Sequence, residues 1–206
     1  MSHWRFRRLI KRAHDTPRGE QTGAASGSPG PSGHPGVMKP LLFLDVDGPL
    51  NPYGALSAPA PPDGFHPHRM RPAGWSWPEP LTVLLDPDHG TRLRALQRHY
   101  ELVWATTWED EANAWIAPVL GLPPLPYVDF PAPAVPGPAG TFWKTRRLLA
   151  YADGRRFAWV DDDLTEADEL WARRHHPAPA LLLQIDRSVG LRETDFDRLE
   201  QWAGTG

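Results

Sequence analysis

Leu41-Leu-Phe-Leu-Asp-Val-Asp-Gly-Pro-Leu50 is an apolar strand that ends in two carboxylates and a glycine. Leu41–Asp45 is a continuous apolar run of the kind buried on both faces of a parallel sheet. Alternate strand residues share a face, so Asp45 and Asp47 both lean toward whatever lies beyond the strand's carboxyl end. A buried carboxylate pair repels itself and is costly to desolvate unless a cation or a shared proton compensates. The pair therefore points to a divalent metal, and to an enzyme that uses the two acids for chemistry. Gly48 turns the backbone away from them.

The rest of the composition narrows the setting. A chain of 206 residues has room for one domain with a full core. It contains no cysteine, which excludes disulfides, thiolate metal sites and cysteine nucleophiles, and fits a reducing, cytoplasmic location. A net charge of -3 gives no general pull toward nucleic acid. No apolar run approaches the roughly 20 residues of a membrane span. The first ten residues are basic but lack the apolar segment of a secretion signal. Residues 1–37 read as a tail: Trp4–His14 has the pattern of a short basic amphipathic helix, and Thr16–Gly36 is rich in Gly, Ser and Pro. The expectation is a disordered extension. Contact of Arg5, Arg7, Arg8, Lys11 and Arg12 with a membrane surface or nucleic acid is the alternative. Met38, just before Lys39-Pro40, is a candidate start, and the folded domain is expected to run over 38–206.

From Leu41 onward strands alternate with helices. Residues 51–86 form an insert rich in Pro, expected to be an irregular flap. A helix is expected over Asp88–Tyr100, a strand over Glu101–Thr106 and a helix from about Asp110 to Val119. A short strand follows at Pro126–Phe130, then a Pro/Ala/Gly loop over Pro131–Gly140. Thr141–Tyr151 reads as helix, Phe157–Asp161 as strand, Leu164–Arg174 as helix and Ala180–Ile185 as strand. Thr194 is expected to cap the last helix, with Asp197 as its capping-box partner. This alternation predicts an α/β fold, a Rossmann-like three-layer sandwich around a mainly parallel five-stranded sheet.

Open parallel sheets bind ligands beyond the carboxyl ends of their strands. Asp45 and Asp47 end one strand, Thr106 and Thr107 another, and Asp161 and Asp162 a third; Lys144 lies near the start of the helix before that third strand. Taken alone, each has an ordinary explanation. Asp161–Asp163 could be an acidic helix start, Thr106 a helix cap, and Lys144 a surface lysine. Their common placement at one sheet edge is what argues for a site.

The order Asp-x-Asp-Gly, Thr after an apolar strand, Lys, then Asp-Asp after another strand resembles the haloacid dehalogenase-like (HAD) superfamily of phosphohydrolases. The resemblance runs from Leu41 to about Ala203. The wording Asp45-Val-Asp-Gly-Pro-Leu-Asn-Pro52, with Ala105-Thr-Thr-Trp108, is most similar to HAD domains associated with bacterial RNA-repair proteins. It implies a phosphatase with Asp45 as nucleophile, forming an aspartyl-phosphate, and Asp47 as general acid and base. It implies Mg2+ held by Asp45, the backbone carbonyl of Asp47, and Asp161, with Asp162 as a ligand or an orienter. Thr106 and Lys144 would hold the phosphoryl oxygens. Thr107 and Trp108 would border the substrate. Pro49 stands where many relatives carry Thr or Val, a position whose side chain is not catalytic.

Relatives place their caps where this chain has its insert of about 35 residues. A small flap leaves the site open, which suits nucleic-acid ends, nucleotides or other phosphorylated substrates. His66, His68, Arg69 and Arg71 are candidate substrate contacts, with solvated loop residues the plainer alternative. Trp75 and Trp77 could stack a base or bury the flap on the body. His175 and His176 fit the carboxyl end of a helix. Two rivals remain. A response-regulator receiver also uses Asp, Thr, Lys and Mg2+, but places its acidic pair ahead of its Lys, the reverse of the order here. A catalytically silent HAD-like domain that binds RNA or a protein partner would have little use for the costly Asp45/Asp47 pair.

Overall fold

The computed structural model describes residues 38–130 and 135–205, so the basic and Gly/Ser/Pro-rich stretches expected within 1–37 lie outside the described residues. Strand β1 (Leu41–Leu44) is central. It pairs in parallel with β4 (Glu101–Trp104) and with β5 (Phe157–Asp161), and β5 pairs in parallel with β6 (Ala180–Gln184). The order β4-β1-β5-β6 makes a four-stranded parallel sheet.

The two-residue period of the strands divides the core. Leu42 and Leu44 of β1, Leu102 and Trp104 of β4, and Ala158 and Val160 of β5 enter one apolar cluster. Their neighbours Leu41, Phe43, Val103, Phe157 and Trp159 enter a second cluster on the other face. Helix α1 (Pro87–Leu96), the single turn α2 (Ala117–Leu120) and α5 (Glu193–Ala203) cover the first face, through residues such as Leu93, Leu120 and Phe196. Helices α3 (Thr145–Ala152) and α4 (Glu166–His175) cover the second, through Leu148 and Ala172. The expected three-layer α/β arrangement is present. Among the described residues no helix is long and apolar enough to cross a membrane.

The fifth strand expected at Pro126–Phe130 is a single bridge. Tyr127 sits opposite Trp104, joined by Trp104 N–H to the Pro126 carbonyl and Val128 N–H to the Trp104 carbonyl, both 2.9 Å. Pro123, Pro124 and Pro126 have no N–H to extend the ladder. The helix expected from Asp110 is a π-helical turn over Ala112–Ile116 running into α2, and Gly121 ends it at φ 60. The last helix starts two residues earlier than expected. Arg192, not Thr194, precedes it, and the Asp195 carboxylate accepts from the Arg192 N–H at 2.9 Å. Glu193 and Asp195 already supply the acidic first turn that a helix dipole favours.

The insert is more regular than expected. After a 3-10 turn at Tyr53–Ser57, β2 (His66–Met70) and β3 (Leu81–Leu85) form an antiparallel hairpin. Pro67 sits opposite Leu84, whose N–H is directed instead to the Asn51 side chain, so no ladder bond is lost at the proline. Met70, Val83 and Leu85 join the first core cluster, which fastens the hairpin to the body.

Candidate active site

The parallel order places the carboxyl ends of β4, β1 and β5 side by side, and the acidic residues follow from that. Asp45 is the first residue after β1, and Asp161 is the last residue of β5. Both are buried, as is Asp162, and one carboxylate oxygen from each of the three lies within 4.8 Å of the others. Lys144, the residue just before α3, is fully buried, and its Nζ is 2.7 Å from an oxygen of Asp45 and 2.7 Å from an oxygen of Asp161. The rings of Phe130, Phe142 and Trp143 surround the ammonium at 5.4–5.9 Å.

Burial dominates the electrostatics of this cluster. It pushes the Asp161 carboxyl up to about 8, against the pull of Lys144 and with Asp45 and Asp162 adding to the rise. Burial also pushes Asp162 up to about 6, with Asp45 adding, while the Tyr53 hydroxyl and Arg187 oppose the shift. Asp162 Oδ2 accepts from Tyr53 OH at 2.7 Å and lies 3.2 Å from Arg187 Nε. Its Oδ1 is buried without a hydrogen-bond partner. Gly48 lies against that carboxylate: a Cβ there would sit 2.5 Å from Asp162 Cβ and Cγ. Converging carboxylate oxygens of Asp45, Asp161 and Asp162, with the buried Asp162 Oδ1 lacking a hydrogen-bond partner, form a donor set suited to a hard divalent cation. A resident metal therefore fits.

Asp47 turns its carboxylate elsewhere. Oδ1 accepts from Asn51 Nδ2 at 2.8 Å and Oδ2 from Trp108 Nε1 at 3.1 Å. The side chain of Trp108 is thus spent on Asp47, and the residue is fully buried. Thr106 and Thr107 are buried just beyond β4, following Ala105, whose N–H donates to the Leu44 carbonyl at 2.7 Å, and Thr106 Oγ1 receives the Trp108 N–H at 3.4 Å. Glu109, next along, adopts φ 50, so this turn carries backbone strain.

The two arginines of the flap have other work, while His68 Nε2 is buried without a hydrogen-bond partner. Arg69 pairs with Glu79 at 2.9 Å, and Arg71 donates to the carbonyls of Trp77 and Pro78. Trp75 Nε1 donates to the Glu79 carbonyl, and Trp75 and Trp77 are half-buried. These contacts brace the hairpin's own connection. His175 stacks on Trp171, and His176 Nε2 meets the Arg155 carbonyl.

Sequence reasoning passed over Asn51, Tyr53 and Arg187. Asn51 lies inside the Asp45–Pro52 motif and carried some signal there. Tyr53 and Arg187 carried none, because only the fold brings them to Asp162. A family model described as the HAD domain in Swiss Army Knife RNA repair proteins matches residues 41–196. No curated protein and no solved structure matches the chain.

Proposed function

The chain belongs to the family of HAD domains found in Swiss Army Knife RNA repair proteins, and from that premise we propose that it is a Mg2+-dependent phosphohydrolase working through an aspartyl-phosphate on nucleic-acid ends or nucleotides. The observation that carries this is Lys144 Nζ held 2.7 Å from both Asp45 and Asp161. Lys144 and the part-exposed Arg187 bring two positive charges to three converging carboxylates, and a divalent cation would supply the charge still needed to admit an anionic phosphoryl group.

In the first step a carboxylate oxygen of Asp45 attacks phosphorus, and the bond from phosphorus to the ester oxygen breaks. Asp47 gives its proton to that departing oxygen. Asp47 then takes a proton from water as the water oxygen attacks the same phosphorus. The bond from phosphorus to Asp45 breaks, inorganic phosphate leaves, and both acids return to their starting state. Lys144 and Thr106 hold the phosphoryl oxygens in line for both displacements. Trp108 and Asn51 orient Asp47. Mg2+ on Asp45, Asp161, Asp162 and the Asp47 carbonyl would supply charge neutralisation for the transferring group.

The test is release of phosphate from p-nitrophenyl phosphate and from 5′- and 3′-phosphorylated oligonucleotides, with Mg2+ and with EDTA. Activity is expected only with Mg2+, and Asp45→Asn should abolish it while circular dichroism stays unchanged. Equal rates in wild type and Asp45→Asn would refute the mechanism. Absence of activity in both, with retained binding of an oligonucleotide or protein partner, would favour a silent binding domain.

A further inference from the structure

Asp168, in the first turn of α4, is a fully buried carboxylate that the mechanism above does not use. Its Oδ1 accepts from the Phe142 N–H at 2.7 Å and the Thr145 hydroxyl at 2.5 Å. Its Oδ2 accepts from the Thr165 N–H and the Thr165 hydroxyl, both at 2.9 Å. Half of this set is ordinary, because Thr165 and Asp168 form the capping box that starts α4. The other half serves no purpose in α4. It reaches across to the turn that carries Lys144.

Phe142 and Thr145 bracket Lys144, and α3 has no side-chain cap bond of its own at that end. Thr165 lies two residues beyond the Asp161–Asp163 run. One carboxylate therefore stitches the lysine's turn to the loop that follows Asp161. Buried carboxylates persist where hydrogen bonds compensate their desolvation, and here all four bonds come from neutral donors on the two segments that must stay in register.

We propose that Asp168 is a positioning residue, which fixes Lys144 Nζ between Asp45 and Asp161 through the 142–145 turn without touching substrate. Its catalytic consequence rests on Lys144 holding the phosphoryl oxygens, as inferred above. Asparagine keeps the size of Asp168 but puts an NH2 on one edge. Whichever way that amide turns, it faces a backbone N–H, of Phe142 or of Thr165, and one of the two segments is released.

The lysines of the chain are Lys11, Lys39 and Lys144, so amine labelling reads the position of Lys144 directly. The full-length protein is treated with N-hydroxysuccinimide acetate and its peptides are analysed by mass spectrometry. In wild type, exposed Lys39 is acetylated and buried Lys144 is protected. Asp168→Asn and Thr145→Val lose that protection with Lys39 unchanged, and Thr145→Ser, which keeps the hydroxyl, restores it. In the two loosened variants kcat on p-nitrophenyl phosphate falls about tenfold, with a smaller change in KM. A folded Asp168→Asn protein whose Lys144 stays protected overturns the proposal. Should that variant unfold, the Thr145 pair decides in the same way: protection of Lys144 in Thr145→Val overturns the proposal and its loss supports it. A wild type that shows the expected labelling but releases no phosphate supports the positioning role and refutes the hydrolase.

Discussion

Gly48 shows how one residue can serve a turn and a site together. Its φ of +99 is open to glycine and strained for any L side chain, and the space a Cβ would fill is occupied by Asp162. Gly48→Ala should therefore cost about 2 kcal/mol or more in urea unfolding, from backbone strain and from displacing a buried carboxylate. Because Asp162 must shift, the same variant should show a smaller Mg2+-induced rise in Tm than wild type. An unchanged urea midpoint would contradict this account. The turn was legible in the sequence, since Asp-x-Asp-Gly after an apolar run calls for a sharp departure. The reason no other residue fits was not legible, because Asp162 follows a different strand far along the chain. Tyr53 and Arg187 were illegible for the same reason: each acts through Asp162, and no local spacing announces it.

At the scale of elements, Asn51 joins the first strand's loop to the hairpin. It donates to Asp47 and accepts from the Leu84 N–H of β3 at 2.9 Å, all within the interior. The hairpin is thus wired to Asp47, the residue proposed to move protons. Asn51→Ala strands a buried N–H, a loss of about 1–3 kcal/mol. Hydrogen exchange should locate it, with the Leu84 amide exchanging faster while the amides of β1 and β5 keep their protection. Uniform loss of protection would mean that Asn51 supports the whole fold. The strands of the main sheet were legible because burial on both faces leaves near-continuous apolar runs such as Leu41–Leu44 and Phe157–Val160. The hairpin was not, because Pro67 argues against a strand and its acceptability depends on Leu84 bonding elsewhere. The fifth strand failed for the opposite reason. Pro126–Phe130 has suitable side chains, but the prolines up to Pro126 offer no N–H on one side of the bridge, and on the other the Phe130 N–H goes to the Glu109 side chain at 3.4 Å.

Across the whole molecule, the sheet gathers Asp45, Lys144, Asp161 and Asp162 from distant parts of the chain, so folding itself concentrates negative charge in a buried place. That charge has a pH signature. Asp161 and Asp162 titrate near about 8 and about 6 in the folded chain, above the ordinary carboxylate value. Groups raised in this way take up protons on folding. Their contribution to stability is fully present below about pH 4 and is lost as pH rises through their folded values. A divalent cation on the same oxygens competes with those protons, so its affinity grows over that window. The increase in Tm produced by excess MgCl2 over EDTA should accordingly be small near pH 5 and larger near pH 8. Each tenfold gain in affinity is about 1.4 kcal/mol and adds about 3–6 °C for a chain of this size once the cation is in excess. Taking the difference between the two conditions at each pH removes the titration of groups outside the site, such as His89, whose burial lowers its value and gives a slope of opposite sign. Asp162→Asn should flatten the growth, since it removes one of the two titrating groups. A Tm increment that is the same at both pH values would show that the carboxylates do not bind the cation together. A zero increment throughout would remove the metal from the site altogether.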